Sequence, residues 1–318
     1  MRSFCSPLIL PTDSASMKSH HLLIPDSQRD ASFFGPRRGR IWNVLSIITG
    51  ANRVPSIITL RTHPPPDTLN YGGCVTGHMD SVEVEPGLRV TNDRCIVFEE
   101  EKVLVIGDLH LGYEKALEDE GMYLPRLNTE SIREALNRLI EKYEPKEIVL
   151  LGDIKHDFKR AKFEGKEEIR SIVRLIMDAA KVVIVKGNHD NYVQNIVADM
   201  PVPVVDHIDI RGYRLEHGHV DSGVRPVIIG HEHPSVKIAG ALSGGLKMQC
   251  FMYARKDGVL VIPPFSFLSS GTDFATSCDD FMSSACRGAD MGRAELFGIS
   301  ELGLMELGTL SEVCNLRI

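Results

Sequence analysis

Short runs of apolar, largely β-branched residues recur through the middle of the chain. They are Val103–Ile106, Ile148–Leu151, Val182–Val185 and Val227–Ile229, and each is closed by polar residues that include a glycine. A run of this kind reads as a buried strand that feeds a loop. Between the first two runs, Ile132, Ala135, Leu136, Leu139 and Ile140 fall on one helical face. That spacing predicts a helix from about Asn128 to Tyr143, capped by Asn128 or Thr129 and stopped by Pro145. A hairpin is predicted from Arg94–Phe98 and Lys102–Ile106, turning at Glu99-Glu100-Glu101, and a second helix from about Lys166 to Ala180 precedes a strand at Lys181–Lys186. Strand, helix, strand, helix, strand implies parallel crossovers.

From Val202 the rhythm changes. Short strand candidates follow at Val202–Val205, Ile208–Ile210, Tyr213–Glu216, Val227–Ile229, Val236–Ala239, Lys247–Tyr253 and Val259–Ile262. Such runs suit an antiparallel second sheet. Ser266 to about Arg293 reads as loop or partial helix, and Glu295–Leu307 as one or two last strands. The expected fold class is α/β, a β-sandwich of two packed mixed sheets flanked by helices.

Residues 1–78 stand apart. They contain no glutamate, and four aspartates face eight Lys or Arg, so this stretch is near +4 and the remainder near −11 of the total −7. Eight of the 17 prolines and the only tryptophan, Trp42, lie there. No sustained period-2 or period-3.6 pattern runs through it. The leading expectation is that Met79 is the biological start and 1–78 an over-extended reading frame, with the functional domain spanning 79–318. A targeting presequence is the alternative, because transit peptides are also Ser-rich and acid-poor, and a disordered tail is the plainest one.

Over 318 residues, 43% hydrophobic and 25% charged, the composition is that of a globular protein. The acidic balance argues against a general nucleic-acid or membrane binder. No stretch approaches the ~20 apolar residues of a membrane span. Seven scattered cysteines without CxxC spacing indicate neither a zinc knuckle nor a disulfide framework, so a reducing cytoplasm is the simplest expectation.

The polar residues that close the strands carry the chemistry. In order they read Gly107-Asp108-Leu109-His110, Gly152-Asp153-Ile154-Lys155-His156, Gly187-Asn188-His189-Asp190, His217-Gly218-His219 and Gly230-His231-Glu232-His233. Ligand sites of open α/β sheets lie beyond the carboxyl ends of the strands, so these loops should converge. Carboxylate, imidazole and amide oxygen together form a ligand set for divalent transition metals. Singly, an Asp-x-His pair or a lone histidine is weak evidence; the ordered conjunction is what counts. A basic stretch, Lys155, Lys159, Arg160, Lys162 and Lys166, begins beside Asp153. It could steer a polyanion, although interleaved Asp157, Glu164, Glu167 and Glu168 make a solvated helix approach the plainer reading.

In this order the blocks resemble the calcineurin-like metallophosphoesterase superfamily. Gly107 to Glu114, Gly230 to Pro234 and Phe265 to Asp273 further resemble archaeal phosphoesterases akin to the ligase-associated PdeM-type enzymes. The resemblance implies a two-metal centre, with Asp108, His110 and His233 on one cation, Asn188, His217 and His231 on the other, and Asp153 bridging both. Mn²⁺ is the expected cation, and Fe²⁺, Ni²⁺ or Zn²⁺ also suit these ligands. It further implies His189 as the residue that faces the scissile phosphate and protonates the leaving oxygen, and a metal-activated hydroxide as nucleophile. His156, where protein Ser/Thr phosphatases of the superfamily carry aspartate, favours phosphodiester substrates, or else merely orients Asp153. His219 is expected to hydrogen-bond nearby rather than bind metal. The implied partners are a phosphate ester, with nucleic acid or a nucleotide in view, and a functional link to DNA repair proteins. A phosphomonoesterase on the same centre and a non-catalytic scaffold of the same fold are the rival readings.

Overall fold

Alternation along three short strands decides how the layers stack. Leu104 and Ile106, Ile148 and Leu150, and Val182 and Ile184 point into a cluster that holds Ile132, Leu136, Leu139, Ile169, Ile172 and Ile176. Their neighbours Val103 and Val105, Val149 and Leu151, and Val183 and Val185 point the other way, into a cluster with Leu215, Ile228, Phe251, Leu260 and Phe297. Period-2 side chains buried on both faces mark a sheet covered by helices on one side and a second sheet on the other. Each such aliphatic side chain contributes about 1.5–3 kcal/mol by leaving water.

The computed structural model describes residues 79–119, 121–122, 128–156, 163–238, 246–276 and 279–315. The expectations for residues 1–78 and for the basic residues Lys159, Arg160 and Lys162 lie outside the described residues. The first sheet runs β1 (Ser81–Glu85), β2 (Leu88–Thr91), β3 (Ile96–Phe98), β4 (Val103–Ile106), β5 (Glu147–Leu151), β6 (Lys181–Val185) and β7 (Val204–Val205), in that spatial order. It is antiparallel from β1 to β4 and parallel from β4 to β7. Helices α1 (Tyr113–Asp119), α2 (Asn128–Tyr143), α3 (Phe163–Met177) and α4 (Val193–Ile196) interrupt its strands in sequence. The α2 helix occupies the span its periodicity predicts, whereas α3 lies about three residues earlier than predicted.

The second sheet comprises β8 (His207–Ile210), β9 (Tyr213–Glu216), β10 (Val227–Ile229), β11 (Pro234–Ile238), β12 (Leu246–Ala254), β13 (Val259–Val261), β14 (Thr272–Asp273), β15 (Glu295–Ser300) and β16 (Gly303–Thr309). The antiparallel expectation for this half is corrected. β10 runs parallel to both β9 and β13, and β11 parallel to β14. Only the remaining pairs are antiparallel. The sheet is mixed because β10 pairs with strands that are not joined to it by a hairpin. Its outer face, with Val227, Ile229, Cys250, Met252 and Val261, packs on Phe274, Phe281, Leu310 and Val313. Phe274 and Phe281 come from the predicted loop region and Leu310 and Val313 from α6 (Leu310–Asn315), while α5 (Ser284–Arg287) adds Ala285 and Cys286 to the same cluster.

Cys95, Cys250 and Cys286 are buried free thiols, but Cys314 is disulfide-bonded. The cysteine pattern therefore does not carry the compartment assignment drawn from it. Among the described residues no helix is long and apolar enough to cross a membrane.

Candidate metal centre

The parallel registers of β4, β5 and β6 bring Ile106 beside Leu150 and Leu151 beside Val185, so their carboxyl ends emerge together. Beyond them the first two loops remain zipped. Asp108 N–H donates to Gly152 O (3.0 Å), His110 N–H to Asp153 O (2.9 Å), Leu111 N–H to Ile154 O (2.8 Å) and His156 N–H to Leu111 O (3.0 Å). The loops that carry these candidate ligands are thus an extension of the sheet rather than free segments. Asp108 (φ 55°), His110 (48°), Asp153 (49°), His231 (67°) and His233 (46°) are all left-handed. Such strain in non-glycine residues persists only where the surroundings enforce it, and it concentrates at functional sites.

The glycines of the blocks are required by close approach. A Cβ on Gly187 would lie 2.2 Å from Asp153 Oδ1 and 2.3 Å from its backbone nitrogen. At Gly152 (φ 80°) it would meet His217 Nδ1 at 2.2 Å. Glycine lets the Asp153 carboxylate and the His217 imidazole rest on neighbouring backbone.

All nine residues singled out in the sequence come together. Asp108, His110 and His233 form one group of donor atoms within 4.8 Å of one another, Asp153, His217 and His231 form another, and His110, Asp153 and His189 form a third that joins them. Asn188 Oδ1 lies 3.1 Å from His217 Nε2. His189 donates its backbone N–H to Asp153 Oδ1 (2.9 Å), and its Nε2 is 3.7 Å from Asp153 Oδ2. The His189 Nδ1 contacts the carbonyl oxygen of His156. The His156 ring lies 5.4 Å from that of His110 and 5.8 Å from that of His189. His219 is exposed, 5.4 Å ring to ring from His217, and belongs to no ligand group found among the described residues.

The donors fit divalent cations. Asp108 Oδ1 is buried and accepts no hydrogen bond, although His233 Nε2 is 3.2 Å away. His110 Nε2 and His233 Nε2 face each other at 3.1 Å. Two imidazole nitrogens and a carboxylate oxygen aimed at one point are the arrangement a Lewis acid satisfies.

Burial and mutual charge set the protonation. Burial alone would raise the Asp108 carboxyl, but His233, His217 and His110 hold it low. Asp153 is likewise held below the carboxylate range against burial, by His217 and the His189 N–H. Burial pushes His110 down to about 4, and burial followed by the His217 charge does the same to His231. His217 goes the other way. Burial opposes its charge, yet Asp153 and Asp108 push it up to about 9.

Three supports escaped the sequence reading. Asp190, 1% exposed, accepts from Ile154 N–H (2.9 Å) and Lys155 N–H (3.4 Å) through one oxygen and from Gly187 N–H (2.8 Å) through the other. Glu232, fully buried between two of the histidines, accepts from Met282 N–H (3.1 Å) and Ser283 N–H (2.5 Å). Ser269 Oγ is 3.1 Å from His233 Nδ1, which leaves Nε2 of that ring directed at Asp108. Asp190 and Glu232 were visible inside their blocks, but no spacing told them from ordinary loop acids.

Fold and site together define an α/β protein of two packed sheets with a candidate His/Asp metal site. Residues 101–235 match the calcineurin-like phosphoesterase family. The family uses a dinuclear divalent metal centre. No curated protein matches the chain. Among solved structures it is similar to the Pseudomonas putida nuclease MPE, at 22% identity and a TM-score of 0.52 over 71% of this chain and 98% of that one. It is also similar to Yfce, a phosphoesterase from E. coli, at 14% identity and a TM-score of 0.30 over 63% of this chain and 88% of that one.

Proposed function

We propose that this protein hydrolyses phosphodiesters, as a nuclease or nucleotide phosphodiesterase, at a dinuclear centre for which Mn²⁺ is the expected cation. The observation that carries the reading is the pair of donor groups, Asp108/His110/His233 and Asp153/His217/His231, with Asn188 against the second. Asp153 is the residue proposed to reach both cations. When bound, the cations would neutralise phosphoryl charge and supply a nucleophile by lowering the pKa of water.

The chain's own residues do the rest. His189 is oriented by the His156 carbonyl and by its backbone bond to Asp153. So held, it can hydrogen-bond a phosphoryl oxygen and deliver a proton to the leaving oxygen. His156 lies beside His110 and His189, and we assign it to the path of a second ester group. The nuclease in the name of the Pseudomonas neighbour accords with that substrate class. The resemblance to archaeal PdeM-type enzymes, a link to DNA repair and a cytoplasmic location belong to the same proposal.

The test compares bis-p-nitrophenyl phosphate with p-nitrophenyl phosphate in the presence of Mn²⁺. The diester should turn over faster, and His189→Ala or Asp153→Asn should lower turnover by about 10²-fold or more. Faster monoester turnover would replace this reading with a phosphomonoesterase, and full activity in either variant would refute the assigned roles.

A further inference from the structure

One aromatic contact beside the candidate metal site involves a residue outside the donor groups. The ring of Tyr113 lies 4.0 Å from that of His156, tilted by 30°. His156 also stacks on His189 at 5.8 Å and 29°, and His110 meets it edge-on at 5.4 Å. Ring contacts thus join Tyr113 to His156 and His156 to His189, a row of contacts whose last member has its Nε2 3.7 Å from Asp153 Oδ2.

The row is built on rigid backbone. Leu111 forms a bridge with Lys155, and the His156 N–H donates to Leu111 O at 3.0 Å. Tyr113 follows two residues later, where α1 begins, and its N–H donates to His110 O at 3.2 Å. The backbone therefore sets Tyr113 and His156 against each other before any substrate arrives. A histidine side chain has two torsions. An aromatic neighbour at 4.0 Å removes most of that freedom, and pre-set groups lose less on binding.

We propose that Tyr113 is a specificity-determining positioning residue. By packing on His156 it holds that imidazole where the second ester group of a diester passes, and so favours diesters over monoesters. This rests on the diesterase reading of the same site. Tyr113 acts through His156, so its loss should fall on diester turnover and leave the metal donors undisturbed.

The experiment uses the full chain loaded with Mn²⁺. It measures kcat/KM for bis-p-nitrophenyl phosphate and p-nitrophenyl phosphate in wild type, Tyr113→Ala, Tyr113→Leu, Tyr113→Phe, His156→Ala and the Tyr113→Ala/His156→Ala double variant. Aromatic packing of this kind is worth roughly two- to tenfold. Tyr113→Ala and Tyr113→Leu should therefore lower the diester-to-monoester ratio roughly two- to tenfold, and Tyr113→Phe should restore it. Added to His156→Ala, Tyr113→Ala should change the ratio no further. Mn²⁺ affinity by titration calorimetry should match wild type in all Tyr113 variants.

An unchanged ratio, an equal loss on both substrates, or a further loss in the double variant would each overturn the inference. Tyr113→Leu retains bulk in that position, so the measurement stands even if the alanine variant fails to fold. The wild-type ratio itself tests the diesterase reading, while its change on substitution tests the role of Tyr113.

Discussion

Asp190 has no place among the proposed ligands, yet three backbone N–H groups converge on its carboxylate from the two loops that carry Asp153 and Asn188. Burial pushes its carboxyl up to about 6, against the pull of those same donors. The charged form is thus tolerated only because the N–H groups point at it. Asp190→Ala would leave those donors buried without an acceptor, a loss of about 1–3 kcal/mol. Asp190→Asn should cost less, because one oxygen still accepts from Ile154 and no charge is buried. Urea unfolding of the three proteins measures the order, and an alanine variant as stable as wild type would show that Asp190 does not organise these loops. At this scale the ligand types were legible, since Asp, His and Asn after β-branched runs announce themselves. What held them was not legible, because an acid such as Asp190 or Glu232 looks the same whether it meets water or backbone N–H.

Elements far apart in the chain share the task of holding His233. Arg94, in the turn between β2 and β3, donates to Gln249 Oε1 at 2.6 Å and lies 4.6 Å over the Phe267 ring. Gln249 on β12 donates to the Ser269 carbonyl at 2.8 Å, and the Ser269 hydroxyl meets His233 Nδ1 at 3.1 Å. A partner on the second nitrogen of a ligating histidine fixes its tautomer and orientation, and its loss typically costs 10–100-fold in metal affinity. Gln249→Leu removes the hydrogen-bonded path from Arg94 to the Ser269 carbonyl without touching a proposed ligand. Its Mn²⁺ affinity should fall by about tenfold while its melting temperature changes little. Unaltered affinity in calorimetric titration would sever the network from the metal site. Elements were read well where local periodicity decides, as in α2, whose apolar face spans Asn128–Tyr143. They were read badly where pairing is long-range: nothing near Val227–Ile229 says that its neighbours are β9 and β13, both parallel to it.

Across the described domain, the donors divide between the two layers. Asp108, Asp153 and Asn188 leave strands of the first sheet, while His217, His231 and His233 leave β9 and β10 of the second. The sheets already share a buried interface of Val105, Val149, Leu151, Val185, Leu215, Ile228, Phe251 and Leu260. A cation held from both sides adds a cross-link that only the folded state can make, because unfolding scatters its ligands. Binding to the native state alone adds about 2.7 kcal/mol at a cation concentration a hundredfold above Kd. For a domain of this size that is roughly 5–10 °C in melting temperature. Calorimetric scans of chelator-treated protein, with and without added Mn²⁺, should show this rise, and Asp153→Asn should abolish most of it. A melting temperature indifferent to Mn²⁺, or one that rises equally in Asp153→Asn, would mean that the converging carboxylates and imidazoles do not join the sheets through a metal. The convergence followed from the order of the blocks along the chain; the sharing of donors between two sheets required the fold, because only the packing of β9 and β10 against the first sheet brings His217, His231 and His233 to Asp108 and Asp153.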